Sequence, residues 1–166
     1  MDGLESCCFI GHRFLAKGTK SEIKRRLRAT IDTLIQKGVT SFLCGGTFGF
    51  GLMAGCVAWE FKEKHAGIKL TMMLPYRNQS ENWTQKDQET YAWLLAGADE
   101  VVYVSEDFFD GCMNQRTLQM LESSKYCVVY LMDDNRGFVG ATIKASNEMG
   151  ITVINLATAP ETCNIT

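Results

Sequence analysis

The sequence contains no hydrophobic run approaching the roughly 18 apolar residues of a membrane span, and no early apolar stretch followed by a cleavage site, so a soluble, cytoplasmic chain without membrane contact is expected. It also lacks a strong charge of either sign: 17 Lys and Arg stand against 19 Asp and Glu, a net charge of −2. Binding a long polyanion usually needs a strong positive field, so nucleic acid is not expected as the main partner. The local exception is Lys20, Lys24, Arg25, Arg26 and Arg28, whose helical spacing places several of them on a solvated face. The seven cysteines are odd in number and form no C-x-x-C pair, which excludes a disulfide framework and a zinc ribbon. No His, Cys and Asp grouping has metal-ligand spacing, so neither a metal nor a cofactor is expected, although a Mg²⁺ ion carried in with a phosphate stays open. Repeats, linkers and low-complexity segments are missing too.

What is present is a globular balance of 46% hydrophobic and 22% charged residues over 166 positions. That length suits one core, so a single domain is expected over 1–157 with a short tail at 158–166. Short apolar runs alternate with helix-length amphipathic stretches, the pattern of parallel strands joined by crossover helices. Strands are expected at Ser6–Ile10, Ser41–Cys44, Lys69–Leu74 (closed by Pro75), Val101–Val104, Cys127–Met132 and Thr152–Leu156. Thr19-x-x-Glu22 reads as a capping box for a helix carrying Ile23, Leu27, Ile31, Leu34 and Ile35. Further helices are expected from Leu52, from Thr84 as a cap, and over Asn114–Ser124. The fold class is therefore α/β, a Rossmann-like three-layer sandwich with a mostly parallel sheet of about six strands.

In such sheets ligands lie outside the carboxyl ends of the strands, where strand order reverses. The loop after the second strand holds four glycines in seven residues, Gly45-Gly46-Thr47-Phe48-Gly49-Phe50-Gly51, which would let backbone N–H groups approach an anion at a helix N-terminus. It is neither G-x-G-x-x-G nor a Walker loop, and a tight turn is its plain alternative. After the first strand, Gly11, His12 and Arg13 offer a bidentate cation and a hydrogen-bond donor. After the fifth, Asp133 to Thr142, with Gly137 and Gly140, could close over a ligand. Tyr76 and Trp83 lie in a loop after a strand and would either stack on a base or plug the loop. Cys44 would serve as a nucleophile only with a base in reach, and a buried strand-end thiol is the favoured reading.

Ser6 to Arg13, Gly45-Gly46, Pro75-Tyr76, Gln79 to Trp83, Tyr91, Ala98 to Val104 and Arg116 together resemble the YpsA-like family of the SLOG superfamily, over nearly the whole chain up to Leu156. That superfamily also contains DprA-type DNA-binding and LOG-type cytokinin-activating proteins. The resemblance implies a Rossmann-like fold and a nucleotide-derived ligand, ADP-ribose-like or a nucleoside monophosphate, at the glycine loop, with Arg116 among the binding residues. It also departs from its relatives. Gly51 stands where the pattern usually has an acidic residue, and the Arg-Asn-Arg stretch appears as Arg116-Thr117-Leu118. The late Gly-Thr element falls on Gly137-Phe138 or, shifted, on Gly140 to Thr142. LOG-type proteins carry a catalytic Glu just after it, whereas here no acidic residue follows until Glu148.

Binding or sensing of a phosphorylated small molecule is therefore the leading functional expectation. A phosphoribohydrolase using Glu122, Asp133 or Asp134, and a DprA-like DNA-binding role for the basic helix, are the alternatives; self-association stays open.

Overall fold

The computed structural model describes residues 6–131 and 137–157. Six strands alternate with five helices: β1 Ser6–Gly11, α1 Lys20–Gln36, β2 Ser41–Cys44, α2 Phe50–Lys64, β3 Lys69–Tyr76, α3 Gln85–Gly97, β4 Glu100–Ser105, α4 Cys112–Glu122, β5 Tyr126–Tyr130, α5 Gly137–Glu148 and β6 Thr152–Asn155. All neighbouring pairs are parallel, in the order β4-β3-β2-β1-β5-β6. The α/β, Rossmann-like reading thus holds, and the sheet is parallel throughout.

Alternation along each strand divides the core between two faces. Cys7 and Phe9 point to the side covered by α1, α2 and α3, with Leu27, Ile31, Phe50, Val57 and Leu94 packed against them. Cys8 and Ile10 point to the other side, where Met120, Leu121 and Val139 of α4 and α5 lie. The chain steps outward from β1 to β4 with helices on one face, then returns past β1 to β5 and β6 with helices on the other. Right-handed crossovers require that change of face when the direction of travel reverses. Strand order therefore reverses between β1 and β5.

Several local expectations are corrected. Thr19 does not form a capping box: its backbone is helical (φ −95°, ψ −14°) rather than extended, and its hydroxyl donates to the Ala16 carbonyl at 2.5 Å. Glu22 is occupied elsewhere, by Arg25 at 2.6 Å and Arg26 at 2.9 Å. Thr84 does cap α3, accepting from the Asp87 N–H at 3.2 Å. Pro75 does not close β3, which continues to Tyr76. β2 ends where Cys44 pairs with Met72, so Pro75 has a strand neighbour on one side only, a position where a missing N–H is tolerated. The segment expected as a loop up to Thr142 is helical from Gly137 onward.

The two arginines hold the exposed Glu22 carboxyl at about 2, below its ordinary 4.5. A lowered acid contributes stability above its unfolded value and loses it as pH falls through the folded one. Thermal melts of the wild type and Glu22→Gln should accordingly differ near neutrality and converge as pH drops from 4.5 to about 2.

Candidate functional site

The carboxyl ends of β1 and β2 are joined by one backbone hydrogen bond: Phe50 N–H, at the start of α2, donates to the His12 carbonyl at 3.1 Å. Two glycines make this approach feasible. A Cβ on Gly49, whose φ is +85°, would overlap the Arg13 and His12 carbonyls, and one on Gly11 would overlap the Phe50 ring. Phe50 is fully buried and stacks on Tyr130 at 6.2 Å; Tyr130 is the register partner of Gly11 on β5. An aromatic floor thus lies under the point where strand order reverses.

Above it opens a cleft of about 360 Å³ lined by Gly11, His12, Arg13, Thr47, Met113, Gly137 and Val139. Arg13 is exposed, and the half-buried His12 ring meets Tyr130 edge-on at 6.4 Å. Gly137 and Val139 belong to the first turn of α5, so the positive end of that helix dipole borders the cleft. Of the residues expected at the site, Gly11, His12, Arg13, Thr47 and Gly137 come together here.

The others stand elsewhere. Gly45 is buried beneath the loop, where its carbonyl accepts from Arg116 Nη1 at 3.1 Å and from Gln79 Nε2 at 3.4 Å. Arg116 is therefore a support under the glycine loop, 3% exposed, not a wall of the cleft, and its Nε has no partner among the described residues. Burial pulls its guanidinium down to about 10, which still leaves it cationic at neutral pH. Gly46 (φ +63°) also faces inward: a Cβ there would lie 3.0 Å from Met72 and Tyr91. Gly49 borders a different cavity. Trp83 fills the plug role, edge-on to Phe48 at 6.1 Å and to Tyr91 at 5.2 Å, and Tyr76 packs against Phe108 at 5.5 Å. Gly140 and Thr142 are buried within α5, and the Thr142 carbonyl accepts from Ser146 Oγ at 2.8 Å. Asp133 lies outside the described residues. Cys44 is fully buried, and burial pushes its thiol pKa up, which removes it as a thiolate nucleophile.

The family model YpsA, described as the YspA SLOG family, matches residues 14–156. The chain belongs to that family. Relatives similar to this SLOG chain include a UPF0398 protein of Bacillus pumilus, 33% identical over 52% of the chain and 44% of the relative, and one of Bacillus cereus, 30% identical over 48% and 43%. The matched stretch thus spans less than half the length of these curated relatives. Among solved structures, DNA processing protein A (DprA) from Streptococcus pneumoniae superposes with a TM-score of 0.64 at 13% identity, over 90% of this chain and 49% of that one. A structural-genomics protein, TM1055, superposes with a TM-score of 0.56 at 18% identity, over 90% and 72%. These structural likenesses concern the fold alone.

Two cleft residues of the SLOG chain, Met113 and Val139, escaped the sequence reading. Met113 stands just before the helix expected from Asn114, and Val139 fell inside the segment expected as a loop from Asp133 to Thr142 without being singled out. Among the described residues no group of three or more His, Cys, Asp or Glu could hold a metal ion, and no helix is long and apolar enough to cross a membrane.

Gly49→Ala should lower stability by about 2 kcal/mol or more, combining a positive φ with the carbonyl clash. Urea unfolding reads this directly, and an unchanged midpoint would contradict the close approach of the two turns.

Proposed function

We propose that the cleft between β1 and β5 binds a phosphorylated, nucleotide-derived small molecule, a nucleoside monophosphate or an ADP-ribose-like compound, and that the chain acts as a binding or sensing module. The observation that carries this reading is the coincidence of the cleft with the reversal of strand order, where open α/β sheets bind ligands. Its volume of about 360 Å³ falls in the range of small-molecule sites.

The chemistry of the walls supports an anion. The exposed Arg13 guanidinium suits bidentate contact with phosphate, and the first turn of α5 offers backbone N–H groups that have no partner within the helix, with a favourable dipole. Arg116 adds a buried positive charge under the glycine loop. Its one described hydrogen-bond partner is a carbonyl, so its field is not neutralised by a carboxylate contact.

Binding is favoured over hydrolysis of an N-glycosidic bond, which needs a carboxylate beside the ribose. Among the described lining residues none is Asp or Glu. Glu122, one of the expected substitutes, is exposed at the last residue of α4, and the other two, Asp133 and Asp134, lie outside the described residues.

Thermal-shift measurements with AMP and ADP-ribose test the reading. Ligand at 100 times its Kd should stabilise the fold by about 2.7 kcal/mol. Arg13→Ala should lose that shift while keeping the unliganded melting temperature, because Arg13 is exposed and outside the core. No shift with either compound at millimolar concentration would refute the proposal, and unfolding of Arg13→Ala would show that Arg13 supports the fold instead.

A further inference from the structure

A second cavity, of about 280 Å³, opens between α1, α2 and α3 on the other side of the β1–α1 turn. The basic cluster of α1 sorts itself around this space. Arg25 and Arg26 are drawn to Glu22, and Arg28 pairs with Glu60 at 3.0 Å on α2. Lys20 and Lys24, one helical turn apart, take part in no salt bridge among the described residues, and both line the cavity with Arg13. The single carboxylate on its wall, Asp87, is engaged by the Thr84 hydroxyl at 2.9 Å. Three cations therefore face one committed anion.

Apart from Thr90, the rest of the wall is mostly apolar. Phe14, 80% exposed, stands at the cavity with its edge toward Phe48 (centroids 6.1 Å apart, planes at 62°). A phenyl ring held in water beside a positive cavity matches the pairing of aromatic platform and cation that nucleotides use, stacking for the base and charge for the phosphate. Met53 and Cys56 of α2 also border the space. The Lys24 ammonium and the Glu60 carboxylate act on the Cys56 thiol in opposite senses, Lys24 the more strongly, so the positive charge is the larger of the two at this wall.

We propose that this cavity is a second ligand site, which takes a mononucleotide-sized phosphate carrying a planar ring, the phosphate against Lys20 and Lys24 and the ring against Phe14. The volume of about 280 Å³ lies just below the roughly 300–1,000 Å³ spanned by ligand sites, which limits the occupant to one nucleotide unit. The site stands apart from the cleft between β1 and β5, with which it shares Arg13.

The two sites carry separate reporters: Met53 lines the second cavity and Met113 the cleft. The full chain, labelled with ¹³C at the methionine methyls and assigned through Met53→Leu and Met113→Leu, is titrated with AMP, adenosine, inorganic phosphate and a short single-stranded oligonucleotide. The Met53 methyl should shift saturably with AMP, and adenosine or phosphate alone should bind about tenfold more weakly. The Lys20→Gln, Lys24→Gln double variant should weaken the Met53 response by about tenfold and leave any Met113 response unchanged. Phe14→Ala should weaken AMP and spare phosphate. All three side chains are exposed, so these variants should fold, which their unliganded methyl spectra would report.

A Met53 methyl that stays still at millimolar AMP, a shift that survives the double variant, or a response to the oligonucleotide without one to AMP would overturn the proposal. Movement of Met53 with a stationary Met113 supports the second site and counts against the reading of the first. The reverse pattern does the opposite.

Discussion

The hydrogen bond from Phe50 N–H to the His12 carbonyl is the constraint on which the functional end of the molecule depends. It fixes the turn after β1 against the turn after β2, and it lets α2 begin at Phe50 with one of its otherwise orphaned N–H groups satisfied. The bond can form because neither Gly11 nor Gly49 carries a side chain. With those two positions bare, the Phe50 ring moves under Gly11 and stacks on Tyr130, giving the reversal point between β1 and β5 a rigid apolar floor. His12 and Arg13 are then held above that floor, and both cavities open on either side of the same turn.

A second constraint works from below. Burying a guanidinium without a counter-ion is unfavourable, and Arg116 has that environment, with burial lowering its pKa toward about 10. What it does there is orient Gly45: the carbonyl accepts from both Arg116 and Gln79, and Gln79 in turn donates to the Tyr91 hydroxyl at 2.9 Å. The glycine loop is therefore suspended from α4 and from the segment leading into α3. It also places a positive charge directly under the loop, which links the support of the fold to the electrostatics of the cleft.

Much of the architecture could be read from alternation alone. The cores of all six strands and the apolar stripe of α1 followed from hydrophobic spacing, because burial against a two-faced sheet imposes that spacing on the sequence. What could not be read were choices decided by competition in space. Thr19 and Glu22 have the letters of a capping box, but Arg25 and Arg26 outbid the backbone for the Glu22 carboxylate. Pro75 reads as a terminator only to a reader who does not know that β2 has already ended. At the site, glycines and cations were visible as residue types while their direction was not. Gly45, Gly46 and Arg116 point into the body of the protein, whereas Met113, an unremarkable letter, lines the cleft. Gly140 and Thr142 were assigned to a loop because their glycine-rich context hides the helix they belong to. Belonging to the YspA SLOG family accords with the fold, and it leaves the ligand to be found by experiment.

The account turns on where a phosphate sits. A crystal of the full chain soaked with ADP-ribose would give the most direct answer. The account predicts phosphate density at the carboxyl ends of β1 and β5, within hydrogen-bonding distance of the Arg13 guanidinium and beside the first turn of α5 at Gly137. A ligand bound with its phosphates away from both, or the cleft left to solvent at saturating ligand, would contradict it.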